Sequence, residues 1–184
     1  MTRKTLSLHI KFIISLALLT IFSWYFMMAT HELGHAIGAL ITGGKEIDVT
    51  FPLLGFSRTD VLTNPHPIIE RWLGPTLGCL IPLLILLTIS FTSLKRHIQL
   101  QTSFAYITGF CFIANGTYIG LGWIDRIGDT GDLLRHGSPT WHLIFFGIFT
   151  FTIGLYIWHL AIESLRKPND LSKTTKHIAQ PTRA

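Results

Sequence analysis

Four long apolar runs organise the chain, at residues 12–28, 73–94, 104–123 and 141–162. Each approaches the roughly 20 residues that a helix needs to cross the hydrocarbon core of a bilayer. The pattern therefore predicts an all-α polytopic membrane protein with about four transmembrane helices. The first helix starts near Leu8 and, because the segment after Met28 keeps its helical character, should run on to Gly43-Gly44, a plausible stop. Beyond it the period changes. Ile47, Val49 and Phe51 alternate with Asp48 and Thr50, as in a strand, and Pro52 and Gly55 suggest a turn. A short β-hairpin over residues 45–61, between helices 1 and 2, is the prediction; an irregular loop is the alternative.

Arg3 and Lys4 ahead of an apolar run also resemble a signal peptide. The run exceeds a normal h-region and no clear A-x-A site follows, so the first span is expected to be retained. Residues 1–165 read as one membrane-embedded domain. Residues 166–184 read as a basic, disordered tail.

Composition supports the membrane reading. Apolar residues make up 48% of the 184 and charged residues only 14%, against roughly 25% charged in an average soluble domain. The net charge of +5 comes largely from the two ends; basic ends beside membrane spans report topology and contact with anionic lipid rather than nucleic-acid binding. No internal repeat, Walker loop or dinucleotide fingerprint is present. Cys79 and Cys111 lie singly in apolar runs, without metal-binding spacing, and read as small buried hydrophobes.

The candidate chemistry sits directly behind the first apolar run, in "HELGH" at residues 31–35. On a helix, His31 and His35 share one face with their β-carbons about 5–6 Å apart, so both imidazoles can bind one metal ion. Glu32 lies one position round. This is the H-E-x-x-H arrangement, in which two histidines hold one zinc ion and the glutamate is the general base. A chance occurrence is the competing account. It is weakened by the cost of placing ionisable groups at membrane depth, where they face a bundle interior and serve a function. A third protein ligand is required, and the loop after helix 3 offers Asp125, Asp129 and Asp132. Each could equally be a solvated loop residue, and Asp132 ahead of "LLR" has the look of a helix N-cap.

With "HELGH", "GPTLG" at residues 74–78 and the segment from Asn115 to Asp129, the chain resembles the site-2 protease family of intramembrane zinc metalloproteases, in its small members without added domains. The likeness covers roughly residues 10 to 163. It implies a zinc endopeptidase that cleaves membrane proteins in or near the bilayer, with Glu32 catalytic and His31 and His35 as ligands. Aligning the family's apolar pair onto Leu133 and Leu134 selects Asp129 as the third ligand and keeps Asp132 in reserve. The resemblance also implies that Asn115 binds substrate backbone and that a hairpin at 45–61 receives an unwound substrate as an added strand. The family's proline three residues after the Asn and its clean Asp-Gly are missing; "GDTGDLL" stands instead.

With the N-terminus inside, the inner segments hold Arg3, Lys4, Lys11, Lys95, Arg96, Arg166, Lys167, Lys173, Lys176 and Arg183. The outer loops hold Lys45, Arg58, Arg71, Arg126 and Arg135. Ten against five puts both termini in the cytoplasm. That count turns the zinc site outward, whereas the resemblance implies a site opening towards the cytoplasm. Rival readings are a catalytically silent metal-binding membrane protein and a transporter or assembly factor. The intact Glu32 favours the enzyme, and a transporter should carry more intramembrane polar residues than Asn115.

Overall fold

The computed structural model describes residues 3–178. In chain order it comprises helix α1 (Arg3–Thr42), strands β1 (Lys45–Thr50) and β2 (Arg58–Thr63) and helix α2 (Pro67–Phe91). A 3-10 turn (Ser93–Arg96) then leads to helices α3 (Ile98–Leu121), α4 (Gly128–Arg135) and α5 (Thr140–Ile178). Four segments are long and apolar enough to cross a membrane: His9–Thr42, Pro67–Phe91, Ile98–Leu121 and Thr140–Glu163. The large apolar side chains of α1 and α5 that point away from the bundle, Phe12 and Phe145 among them, are exposed as in a multi-pass membrane protein.

The elements stop where their sequences require. α1 ends at Gly43, whose φ of +79° only glycine adopts freely. Gly43 N–H donates to the Leu40 carbonyl and Gly44 N–H to that of Ala39, closing the last turn as a Schellman motif. Pro67 opens α2, where its missing N–H costs nothing. α2 therefore starts before the apolar run does and brings Glu70 and Arg71 into the helix. α5 extends as helix through Ile178, across residues 166–178 of the segment expected to be a disordered tail. The helix carries on past the apolar span that ends at Glu163. Residues 179–184 of that segment lie outside the described residues.

The expected hairpin is present as a two-stranded antiparallel sheet in which Ile47 faces Val61 and Val49 faces Thr59. Its tip folds back along α1. Phe56 meets Trp24 edge-on at 5.5 Å, Phe51 lies 6.2 Å from Tyr25, and the Tyr25 hydroxyl donates to the Leu53 carbonyl. These contacts lay β2 beside the "HELGH" turn of α1.

α1 packs on α2 and α3, and α3 packs on α5 along most of its length. The α3–α5 approach relies on small residues, the usual device where lipid removes any hydrophobic drive between helices. A Cβ on Gly147 would collide with the backbone of Gly120, leaving no room for a side chain. Around Ile119, Leu133 and Leu143, Trp72, Leu134 and Phe146 close a core cluster that joins α3, α4 and α5. This cluster anchors the short helix α4 and so fixes where Asp129 points.

The backbone contact at Gly147 generates a stability test. Gly147→Leu should lower the unfolding free energy in detergent by about 1–3 kcal/mol through overpacking. Ile148→Leu, at a side chain 65% exposed on the neighbouring face, should stay within about 0.5 kcal/mol of the parent. Thermal denaturation of the two purified variants measures both, and equal melting would rule out the close helix contact.

Candidate metal centre

The last turns of α1 carry His31, Glu32 and His35, all buried. One helical turn separates the two imidazoles, whose ring centroids are 4.8 Å apart. α4 brings Asp129 to them across the bundle. Asp129 Oδ2 lies 2.8 Å from His31 Nε2 and 3.1 Å from His35 Nε2, and the two nitrogens are 3.1 Å apart. Gly128 opens α4 with a φ of +56°, and the Asp129 N–H donates to the Tyr118 hydroxyl at 3.0 Å.

The outer ring nitrogens decide what the centre can hold. His31 Nδ1 lies 2.7 Å from Asn115 Oδ1, and that amide is oriented by its Nδ2 donating to the Cys111 carbonyl at 2.9 Å. His35 Nδ1 lies 3.0 Å from the Glu70 carbonyl. Both partners accept only, so in the neutral rings both Nδ1 atoms carry the proton and both Nε2 atoms carry lone pairs. Two nitrogen lone pairs and a carboxylate oxygen thus converge on one point. Such a set needs a cation, either added protons or a metal ion. The outer hydrogen bonds are those that metal-binding histidines make. Donors about 2.0–2.1 Å from a tetrahedral zinc stand about 3.3 Å apart, close to the separations seen here, so His31, His35 and Asp129 can hold a metal ion. Burial opposes the charge of Asp129. In their protonated form the two imidazoles outweigh it, donating to the carboxyl and holding it well below the usual carboxylate range.

Glu32 faces the hairpin. Its Oε1 accepts from Ser57 Oγ at 2.7 Å and its Oε2 from Thr59 Oγ1 at 2.6 Å. These hydroxyls fix the carboxylate beside the centre while leaving each oxygen a second lone pair.

The "GPTLG" stretch has a steric role. A Cβ on Gly74 would run into the His35 ring, and one on Gly78 would come within 2.8 Å of Asn115 Nδ2. The two glycines sit one helical turn apart and clear space for the His35 ring and for the amide that orients His31.

Of the residues singled out from sequence, His31, Glu32, His35, Asp129 and Asn115 come together. Asn115 is 1% exposed with both polar ends engaged inside the protein, so it contacts His31 where a substrate contact had been expected. Asp132 does not reach the histidines; it pairs with Arg71 at 3.1 Å and with Arg135. Nor is it a cap, since it lies inside α4, whose N-cap is Ile127. Asp125 is exposed in the turn before α4. Sequence reading missed Ser57, Thr59, Glu70, Arg71 and Tyr118. For Glu70 and Arg71 a signal was there, an ionisable pair at the head of an apolar span. For Ser57 and Thr59 it was the two-residue spacing that turns both hydroxyls to one side of an extended chain.

Gly74 supplies a test. Glycine to alanine in a helix ordinarily gains about 1 kcal/mol. Gly74→Ala should instead push the His35 ring away and weaken metal binding by about 10–100-fold, the range seen when a ligand's support is lost. Metal titration against a competing chelator checks this, and unchanged affinity would mean the ring does not need the space.

Comparison of the chain with protein-family models, with curated proteins and with solved structures finds no match. The arrangement of its own side chains therefore carries the functional reading.

Proposed function

We propose that the protein is an intramembrane zinc metalloendopeptidase that cleaves peptide bonds of membrane proteins within or near the bilayer. The observation that carries this reading is the convergence of His31 Nε2, His35 Nε2 and Asp129 Oδ2 next to a separately held carboxylate, Glu32. Two imidazoles and one carboxylate are the ligand set of an open catalytic zinc site, with the fourth position left for water or substrate. A purely structural site would be closed by a fourth protein ligand, and among the described residues no further His, Cys, Asp or Glu joins the group.

Bound zinc would supply Lewis acidity, polarising a carbonyl and bringing the pKa of water to about 7. The chain's own residues would do the rest. His31, His35 and Asp129 hold the ion, one per chain. Asn115 and the Glu70 carbonyl keep the two imidazoles in the tautomer that presents Nε2. Glu32, aimed by Ser57 and Thr59, takes the proton of the attacking water and returns it to the departing amine. A transmembrane substrate must be unwound before its backbone can be attacked, and an edge of the β1–β2 hairpin offers main-chain partners to such an extended segment.

Glu32→Gln preserves shape and removes the base. It should leave metal affinity unchanged and slow cleavage of a reconstituted single-span substrate by about 10²–10⁴-fold. New termini detected by mass spectrometry give the rate. Cleavage at the parental rate would sink the mechanism, and a silent metal-binding protein would show no cleavage by either form.

The Lys and Arg asymmetry further supports an orientation with both chain termini in the cytoplasm and the hairpin and α4 on the opposite side. Cysteines introduced singly at Glu46 and Asp125 should then react with an impermeant reagent from outside intact cells, and one at His97 should not. Labelling of His97→Cys alone from outside would invert the protein.

A further inference from the structure

We infer that Arg71 is a positioning residue that sets the metal-binding carboxylate of Asp129 and, through β2, the base Glu32; the inference rests on reading His31, His35 and Asp129 as a metal site. Asp129 turns one oxygen, Oδ2, to both histidines. Its other oxygen, Oδ1, accepts from Arg71 Nη1 at 3.4 Å. The same Nη1 donates to the Thr59 carbonyl at 3.3 Å, and Thr59 Oγ1 in turn donates to Glu32. One guanidinium nitrogen therefore touches both the ligand carboxylate and the strand residue that aims the general base.

The remaining edge of the guanidinium is also engaged. Nε lies 3.1 Å from Asp132 Oδ2 and 3.5 Å from Glu70 Oε1. Glu70 is 1% exposed, and its Oε1 is buried without a hydrogen bond among the described residues, 3.7 Å from His35 Nδ1. Asp129, Asp132 and Glu70 thus surround the Arg71 guanidinium, and of the three Asp132 also pairs with Arg135. Without the guanidinium, mutual repulsion would turn Asp129 Oδ2 away from the histidines, because nothing else described holds Oδ1. The planar fork of arginine addresses partners in two directions at once. Lysine, a point charge on a flexible stem, cannot hold both Asp129 and Asp132 in register. The duller account is that Arg71 only neutralises Glu70 and Asp132 and holds α4 against α2. That role would move stability and leave the affinity of the folded protein for metal unchanged.

The test uses the full chain purified in detergent, stripped of metal and titrated with Co²⁺ alone. The readouts are affinity, by competition with a chelator, the visible d–d spectrum, and melting of the metal-free protein. Arg71→Met should weaken binding by about 10–100-fold and alter the spectrum, and Arg71→Lys should recover only part of the loss. Asp132→Asn frees the other end of the guanidinium, so it should weaken binding several-fold and add nothing further in the Arg71→Met background. Parental affinity and spectrum in folded Arg71→Met would overturn the assignment, whatever happened to the melting temperature. If Arg71→Met does not fold, Asp132→Asn decides: weakened binding supports the inference and parental binding overturns it. A parental protein that binds no Co²⁺ would remove the metal reading itself. Binding by the parent with no difference in the variants would remove the role of Arg71 alone.

Discussion

Three electron pairs from His31, His35 and Asp129 point at one another inside an apolar helical bundle, and no neutral arrangement of protons satisfies them. Both imidazoles have spent their only N–H on outward partners, so an added proton or a metal ion in the middle would satisfy the three acceptors. An uncompensated set of this kind is expensive to bury. The surrounding structure is arranged so that it cannot be relieved by turning a side chain. Asn115 is clamped to the Cys111 carbonyl, Glu70 contributes a backbone carbonyl that cannot donate, and Gly74 confines the His35 ring against α2.

Much of the remaining architecture follows from holding that centre. α1 must carry the histidines while spanning a long apolar distance, and the Schellman turn at Gly43 ends it about two turns past His35. The hairpin is required to lie back on α1, since only then do Ser57 and Thr59 reach Glu32. Aromatic contacts at Trp24 and Tyr25 supply that adhesion. α4 is too short to be stable alone. It is held by Leu133 in the core cluster and by Arg71 across to Asp132, which together present Asp129 from the far side of the bundle.

Charge is distributed in two tiers. The inner tier is the His31, His35 and Asp129 group, which could hold a metal ion. The outer tier is Arg71 with Glu70 and Asp132, at the head of α2 and on α4. The outer cation faces Asp129 Oδ1 and the centre faces Oδ2, so the carboxylate is gripped from both sides. Asp132, a rival for the ligand role on spacing alone, belongs to the outer tier.

The chain's local patterns determined its elements. Four apolar runs of membrane-spanning length became four long helices, the alternation of Ile47, Val49 and Phe51 became β1, and a separation of four residues put His31 and His35 on one face. Each is a short-range consequence of helix or strand period, legible without knowing what lies opposite. Spacing alone did not separate Asp129 from Asp132, because two carboxylates three residues apart look alike in a sequence. The partners of Asn115, the hydroxyls on Glu32, the space cleared by Gly74 and the reach of Arg71 were decided by tertiary structure alone. Most of those contacts join residues far apart in the chain: 12 positions between Thr59 and Arg71, 25 between Glu32 and Ser57 and 84 between His31 and Asn115. Periodicity says which face a side chain occupies; only the packing of one helix on another determines what that face meets.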